Sequence, residues 1–387
     1  MSFDQRGTLP VGRHEIGSRG RGRPLAFAFW LAIWMSAPGA CCAAEAADDV
    51  PGVLRPWLGR QAWERDTEGP VIALGRPGDF DDTHVFAPCV VFEGEKGVRS
   101  NLCEAPFGPF RQIGPDPFFA LWYCGSRGAV AERVFRLGLA TSRDGRRFDK
   151  SPSNPVFEFG DGKHSVLTPA VLRSPDGGVL RHEGKLRMWF SATHFAGPSG
   201  LHTLHETTSI DGVDWQAPSP AQLENAYAPT VIKEGEVYRL WYADVSSDPW
   251  IFRHAESRDG RHWDVTPEPV LVIDQAWEQG RLIYPSVLTS GGVYLMWYGS
   301  YWSEHANKTA IGFAASVDGL RWHKSPQNPV LRPDPARPWE SHYTTSQSVL
   351  RLEDGSFRIW YASRKEPPFR NKYFAINTAR WEGPAAD

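Results

Sequence analysis

Apolar residues in this chain are grouped in short runs closed by turn residues, and two kinds of run recur in step. One ends in Trp followed by an aromatic, at Trp122-Tyr123, Trp189-Phe190, Trp241-Tyr242, Trp297-Tyr298 and Trp360-Tyr361, with the tryptophans 52 to 67 residues apart. The other is built on Pro and Val, at Ala87-Pro88-Cys89-Val90-Val91, Thr168-Pro169-Ala170-Val171-Leu172, Ala228-Pro229-Thr230-Val231-Ile232 and Tyr284-Pro285-Ser286-Val287-Leu288; a fifth copy, Gln347-Ser348-Val349-Leu350, lacks the Pro. Between them polar turns repeat as Ser-x-Asp-Gly-x-x-aromatic at Ser142 to Phe148, Ser209 to Trp215, Ser257 to Trp263 and Ser316 to Trp322. Asp-Gly suits the positive φ values of tight turns. Strands and turns repeating at several tens of residues signal a propeller or solenoid, and five copies predict five units.

Each unit reads as four strands: the Pro-Val run, the Trp-aromatic run, a third strand ending at Asp-Gly, and a fourth strand carrying the aromatic. The fourth strand leads to Asn154-Pro155-Val156-Phe157, Glu268-Pro269-Val270-Leu271 or Asn328-Pro329-Val330-Leu331, and the second unit has no such segment. The last unit stops after its third strand, at Tyr373 to Arg380. Gly69-Pro70-Val71-Ile72, ahead of the first unit, has the missing form, so it is expected to complete the last sheet and close the ring. Closure removes exposed sheet edges. The predicted fold class is all-β, a five-bladed propeller of four-stranded antiparallel blades closed by an N-terminal strand.

Composition agrees: 387 residues with 17 Trp, 37 Gly and 32 Pro make a turn-rich chain with ample aromatic core. The repeated position of the tryptophans assigns them to packing between blades before sugar stacking. A net charge of −3 gives no reason to expect nucleic acid. Arg13, Arg19, Arg21 and Arg23 precede the apolar stretch Leu25 to Met35, and small residues follow through Ala47. That pattern reads as a secretory signal, too short for a spanning helix. The expected organisation is a signal peptide and leader over 1–46, a linker over 47–64 and the propeller over 65–387, in a secreted or periplasmic protein with no integral membrane segment after cleavage. Lipoprotein anchoring at Cys41 is a lesser alternative, because Pro38-Gly39-Ala40 matches a lipobox poorly. Cys89, Cys103 and Cys124 leave a disulfide open.

Strand order locates a functional face. Loops entering the first strands and leaving the second strands share one mouth, opposite the Asp-Gly turns, and such variable loops on a rigid frame are where binding residues belong. They carry Asp79, Asp81, Asp82 and His84; His164; Glu224 with Tyr227; Glu278 with Arg281 and Tyr284; His342 with Tyr343; and then Arg127, His194, Asp244, Glu304 with His305, and Arg364. Trp277-Glu278 and Trp339-Glu340 also read as a repeated structural element. His202-Thr203-Leu204-His205-Glu206 is assigned to surface or packing, and no metal or cofactor motif is present.

The x-Pro-x-Val first strands, Met296-Trp297-Tyr298-Gly299 and the Ser-x-Asp-Gly-x-x-Trp hairpins resemble the five-bladed glycoside hydrolase clan over roughly residues 65 to 381. That clan holds arabinanases and xylosidases of family 43, invertases and fructan hydrolases, and related mannoside phosphorylases. The resemblance implies a carbohydrate substrate, with no cofactor, and acid–base cleavage of a glycosidic bond. Such cleavage needs one acid and a second carboxylate. In family 43 the base precedes the Pro of the first inner strand, where this chain has Ala87, and Thr168, Ala228 and Tyr284 stand at the next three positions. Asp82 is therefore the expected base by strand order, Glu278 the acid and Asp244 the group that orients or tunes it. His84, Arg127, His164, His194, Tyr227, Arg281, Tyr284, His342 and Arg364 are the expected binding residues. A glycan-binding propeller without activity and a glycoside phosphorylase are the alternatives; a sialidase fits less well, its Asp box having an extra residue and its ring six blades.

Overall fold

The computed structural model describes residues 50–93, 118–129, 132–197, 201–302, 308–365 and 374–384. The leader and signal, with Cys41, and Cys103 lie outside the described residues. So do Glu304 and His305.

Twenty strands and one 3-10 turn, Gly52–Leu54, make up the regular structure described. The first sheet runs β1 (His84–Glu93), β2 (Phe118–Ser126), β3 (Arg136–Ser142), β4 (Asp149–Lys150). The second holds β5 (Ser165–Val171), β6 (Arg181–His182), β7 (Lys185–Thr193), β8 (Thr203–Ser209) and β9 (Leu223–Glu224). The third is β10 (Ala226–Glu234), β11 (Val237–Asp244), β12 (Ile251–Ser257), β13 (Asp264–Val265). The last has seven strands: β14 (Gln279–Ser290), β15 (Val293–Tyr301), β16 (Thr309–Ser316) and β17 (His323–Lys324) are joined to β18 (Tyr343–Arg351), β19 (Phe357–Arg364) and β20 (Phe374–Trp381) by one parallel bridge, Thr309 to Tyr343. All other strand pairs are antiparallel. The chain is all-β, as the alternating runs predict.

The Asp-Gly turns are closed by their own side chains. In each, the Ser Oγ accepts the amides of the Asp and the Gly, and the Asp Oδ1 accepts the next two amides. For the turn at Ser316 these bonds measure 3.2, 2.9, 2.8 and 2.8 Å. The four glycines have φ of +69 to +75°, where a Cβ is costly.

The repeated tryptophans then lock neighbouring sheets. Trp122 Nε1 donates to Gly212 O at 2.9 Å, Trp189 to Gly260 O at 3.0 Å, Trp241 to Gly319 O at 2.8 Å and Trp360 to Gly145 O at 2.8 Å. Each acceptor is the turn glycine of another sheet. Trp297 has no such turn to face and donates instead to Gln61 Oε1 at 3.0 Å.

That bond corrects the expected linker. Residues 50–64 pack on the body: Leu54 and Leu58 are buried among Leu288, Leu295, Val349 and Phe357, and Trp63 lies edge-on to Trp297. Apolar burial against a complementary face, not a composition shift, sets the boundary near Val50. The expected pairing of Gly69-Pro70-Val71-Ile72 is present. Ile72 and Ile376 exchange backbone bonds of 3.2 and 2.9 Å, and Glu64 and Arg380 exchange two of 2.8 Å. Cys89 and Cys124 are buried free thiols.

Two outcomes are expected. Trp241→Phe removes the shorter of two indole donors to the Gly319 carbonyl, leaving it with Trp322 Nε1 at 3.1 Å, and costs about 1 kcal/mol. Gly319→Ala costs more, because its Cβ would sit 2.9 Å from Trp241 Cζ2 at φ +75°; urea midpoints of both variants measure this. The turn carboxyls also make stability fall in acid. Burial pushes Asp318 up, but the Arg321 and Leu320 amides, the Ser316 hydroxyl and the Arg321 guanidinium outweigh it and bring it down to about 2. Asp144 and Asp211 are likewise lowered by amides and a serine hydroxyl against the upward push of burial, and Asp259 by the His262 amide and ring. A depressed folded-state value contributes stability above the unfolded value of about 3.9, and that contribution is lost as pH falls through the folded value. Urea midpoints should therefore drop between about pH 4 and 2, and Asp318→Asn should shrink the drop.

Candidate functional site

The five first strands, β1, β5, β10, β14 and β18, converge on one cavity of about 50 Å3. Each carries a bulge where its register with the second strand slips. At the bulge Ala87, Thr168, Ala228, Tyr284 and Ser346 have φ of +46 to +57°. A left-handed backbone costs a non-glycine residue about 1–3 kcal/mol and persists only where packing enforces it. All five line the cavity, and none is a carboxylate.

Above these bulges the starts of the first strands and the ends of the second strands bring four expected residues into connected aromatic and cationic groups. Tyr227 and Tyr284 share a hydroxyl–hydroxyl bond of 2.9 Å. Arg281 stacks 4.4 Å over Trp250, whose ring lies 5.7 Å from Tyr227. Arg364 stacks 3.8 Å over Tyr343. Burial pushes the Tyr227 and Tyr284 hydroxyls well up, and Tyr284 interacts with both Tyr301 and Tyr343. Burial also lowers Arg364 against the pull of Tyr343 and Tyr301, and raises Tyr343 to about 12.

Sequence reasoning missed Trp250, Tyr301 and His202. The His202 ring stands 4.6 Å from Tyr227, burial lowers it to about 4, and its Nδ1 finds no hydrogen-bond partner among the described residues. Assigned to packing from its motif, it packs against the mouth itself. Only its place at the start of β8 could have signalled this.

Other expected residues are dispersed. His84 is buried, with Nδ1 2.9 Å from Ser126 Oγ and its ring against Phe135. Arg127 is exposed and reaches Gly78 O at 3.4 Å. His164 is held by Asp161 at 2.5 Å and faces His194 with ring centroids 5.6 Å apart. His342 contacts Ser341 Oγ at 3.3 Å.

Geometry separates the three expected catalytic carboxylates. Half-buried Asp82 accepts the Gly78 amide and the Thr83 hydroxyl, both at 2.8 Å. Asp244 accepts the Ser246 amide at 2.9 Å and Arg253 Nε at 2.7 Å. Burial alone would raise it, but Ser246 and Arg253 outweigh that and hold it below the usual carboxylate range. It orients Arg253 rather than an acid.

Glu278 departs furthest from expectation. It accepts the Tyr298 hydroxyl at 2.6 Å, Lys324 Nζ at 2.7 Å and the amides of Asp274 and Gln275 at 3.0 and 3.1 Å, with its side chain fully buried. Asp81 repeats the arrangement with Tyr123 and Lys150 at 2.8 and 2.6 Å, and Glu340 with Tyr361 and Arg65 at 3.1 and 2.5 Å. The three carboxylates tie the tyrosine of the Trp-Tyr run to a cation of an outer segment. A carboxylate so held is a fold element, and the Trp277-Glu278 and Trp339-Glu340 repeat was the signal for it.

No family model matches the chain. An uncharacterized protein of Mycobacterium tuberculosis (strain CDC 1551 / Oshkosh) is 32% identical over 103 residues, which is 25% of this chain and 33% of that protein, so the chain spans about a third of the length of the curated relatives it matches. Among solved structures, a glycoside hydrolase aligns with TM-score 0.62 at 14% identity, covering 84% of this chain and 93% of its own. A structure from work on family 130 mannoside phosphorylases and the glycoside hydrolases among them that target β-1,2 mannosidic linkages in Candida mannan aligns with TM-score 0.57 at 15% identity, covering 85% and 96%. At these identities the likeness is one of fold: the chain has the propeller-like fold of solved glycoside hydrolases and mannoside phosphorylases.

Proposed function

We propose that this chain is a secreted, glycan-active protein of the glycoside hydrolase type whose ligand enters the mouth lined by Tyr227, Trp250, Tyr284, Tyr343 and Arg364. The carrying observation is that mouth itself. Buried and half-buried aromatic rings with polar tips stand over the cavity where five first strands meet, and such rings stack on sugar faces while their hydroxyls bond sugar hydroxyls. The shared fold with glycan-processing enzymes supports the reading.

The scaffold in this proposal is a closed ring of five four-stranded blades. The N-terminal segment completes the fifth blade. Arg65 supplies to Glu340 the cation that Lys150 and Lys324 supply to Asp81 and Glu278, and Gln61 supplies the acceptor that turn glycines supply elsewhere. Deleting residues 50–80 should then abolish cooperative unfolding by calorimetry; a full-height transition in the truncated chain would rule closure out.

For hydrolysis, Asp82 is the carboxylate left to act as base, with Arg281 and Arg364 holding hydroxyl or anionic groups. The lack of a carboxylate at any of the five bulge positions favours one rival, a propeller that binds glycans and leaves them intact. Chromogenic glycosides, with and without phosphate, separate hydrolysis from phosphorolysis and from binding alone. On a responsive glycoside, Asp82→Asn should lower turnover at least about 100-fold with binding kept. Glu278→Gln, which leaves Lys324 beside a neutral amide in a buried site, should instead destabilise the fold by about 3 kcal/mol. Near-normal turnover in Asp82→Asn would remove Asp82 from the chemistry, and intact oligosaccharide binding without any cleavage would establish the rival.

A further inference from the structure

Arg173 lies just beyond β5, and its guanidinium crosses the axial cavity beyond the bulges, on the side away from the mouth. It is buried, 9% exposed. Its Nη2 donates to Val90 O at 2.5 Å and Ser348 Oγ at 3.0 Å and approaches Cys89 Sγ at 3.6 Å, while Nη1 donates to Val349 O at 3.3 Å. Val90 and Val349 belong to β1 and β18, so one side chain bridges three first strands.

A guanidinium is charged at every working pH and carries five N–H donors. Carbonyl dipoles satisfy some of these donors, yet they leave the unit charge in place. Its partners among the described residues are two carbonyl oxygens, one hydroxyl and one thiol, with no carboxylate among them. An isolated buried charge is costly.

The walls beside it offer donors too. Ser348 Oγ accepts the Val90 amide at 3.1 Å as well as Arg173, and Ser346 Oγ accepts the Ala87 amide at 3.2 Å. With their lone pairs facing those N–H groups, both hydroxyl hydrogens turn elsewhere, and neither is donated to a protein acceptor among the described residues. Cys89 Sγ likewise accepts the Val171 amide at 3.4 Å. Gln347 Oε1 is the exception, a buried acceptor with no partner, while its amide nitrogen is used by Tyr284 O and Trp297 O. A water can donate to it and, with its second hydrogen, to an anion.

The cavity of about 50 Å3 has room for a few waters or one small ion. A sugar ring does not fit, and a cation is disfavoured by Arg173. We propose that the axial channel binds a small monovalent anion of chloride's size and charge through Arg173, Ser346 and Ser348. The ion neutralises Arg173 and ties β1, β5 and β18 together, and this site is independent of the glycan reading.

The test uses the full folded chain exchanged into sodium gluconate, then titrated with sodium chloride at constant ionic strength. Ligand binding to the native state alone raises the melting temperature in proportion to ln(1 + [L]/Kd). The expected result is a rise with chloride, absent with further gluconate, together with broadening of the 35Cl resonance and a bromide anomalous peak beside Arg173 in soaked crystals. Ser348→Ala should weaken the chloride response at least tenfold in concentration, and Arg173→Met should remove it. Where Arg173→Met does not fold, Ser348→Ala decides. Superimposable chloride and gluconate melts with no bromide peak would overturn the proposal, as would an unchanged response in Ser348→Ala.

Discussion

An indole N–H delivered to the carbonyl of a turn glycine in the neighbouring sheet is the bond on which the rest of this structure depends. It needs three things at once: a tryptophan in the second strand, a glycine free to take φ near +70°, and no Cβ on that glycine. A Cβ at Gly260 would meet Trp189 Cζ2 at 2.8 Å, and one at Gly145 would meet Trp360 Cζ2 at 3.1 Å. The Ser-x-Asp pair holds the turn so that the carbonyl points at the indole. Dispersion between sheets would hold them together without directional preference. The hydrogen bond supplies direction, and repetition of one direction brings the five first strands to a common axis.

Arginines two residues before the tryptophans reinforce the same joint. Arg187 and Arg239 donate to the carbonyls of Asp259 and Asp318, each next to the glycine its tryptophan uses, at 3.0 and 2.8 Å. Arg358 takes the Asp66 carboxylate through two bonds of 2.9 and 2.7 Å. The substitute partners, acceptors at Gln61 and Asp66 and a donor at Arg65, all come from the segment before the first strand. Gln61, Arg65 and Asp66 are therefore as much part of the repeat as the residues they stand in for.

This pattern explains what was legible beforehand. Asp-Gly turns, Trp-aromatic strands and the Pro-Val segment at Pro70 announce themselves because each has a local sequence cause repeated several times. The role of residues 50–65 was not legible, since Gln61 and Arg65 each stand in once for a repeated residue, toward partners more than two hundred residues away. The left-handed bulges were hidden for a different reason. A residue before proline ordinarily prefers extended backbone, so Thr168-Pro169 and Tyr284-Pro285 read as plain strand until packing around the axis overrode that preference. Strand order placed Tyr227, Arg281, Tyr284 and Arg364 at the starts of first strands and the ends of second strands because that needs only topology. It misplaced Glu278 because topology says which loop a residue occupies and nothing about Lys324, whose ammonium arrives from a different strand.

The distribution of charge along the axis constrains any chemistry at the mouth. Arg364 stands above the bulges and Arg173 below them, and the residues lining the cavity between include no carboxylate. A general acid needs a raised pKa to hold its proton at neutral pH, and nearby cations act in the opposite sense. Carboxylates away from the axis are each paired with a cation: Asp244 with Arg253, Glu278 with Lys324, and Glu340 with Arg65 and Arg337, where they serve geometry. An acid acting near the axis must therefore come from a flank or work where the axial charge has been cancelled. A small anion on Arg173 would supply that cancellation. It would leave Arg281 and Arg364 as the cations facing a ligand and weaken the field that otherwise opposes protonation above it.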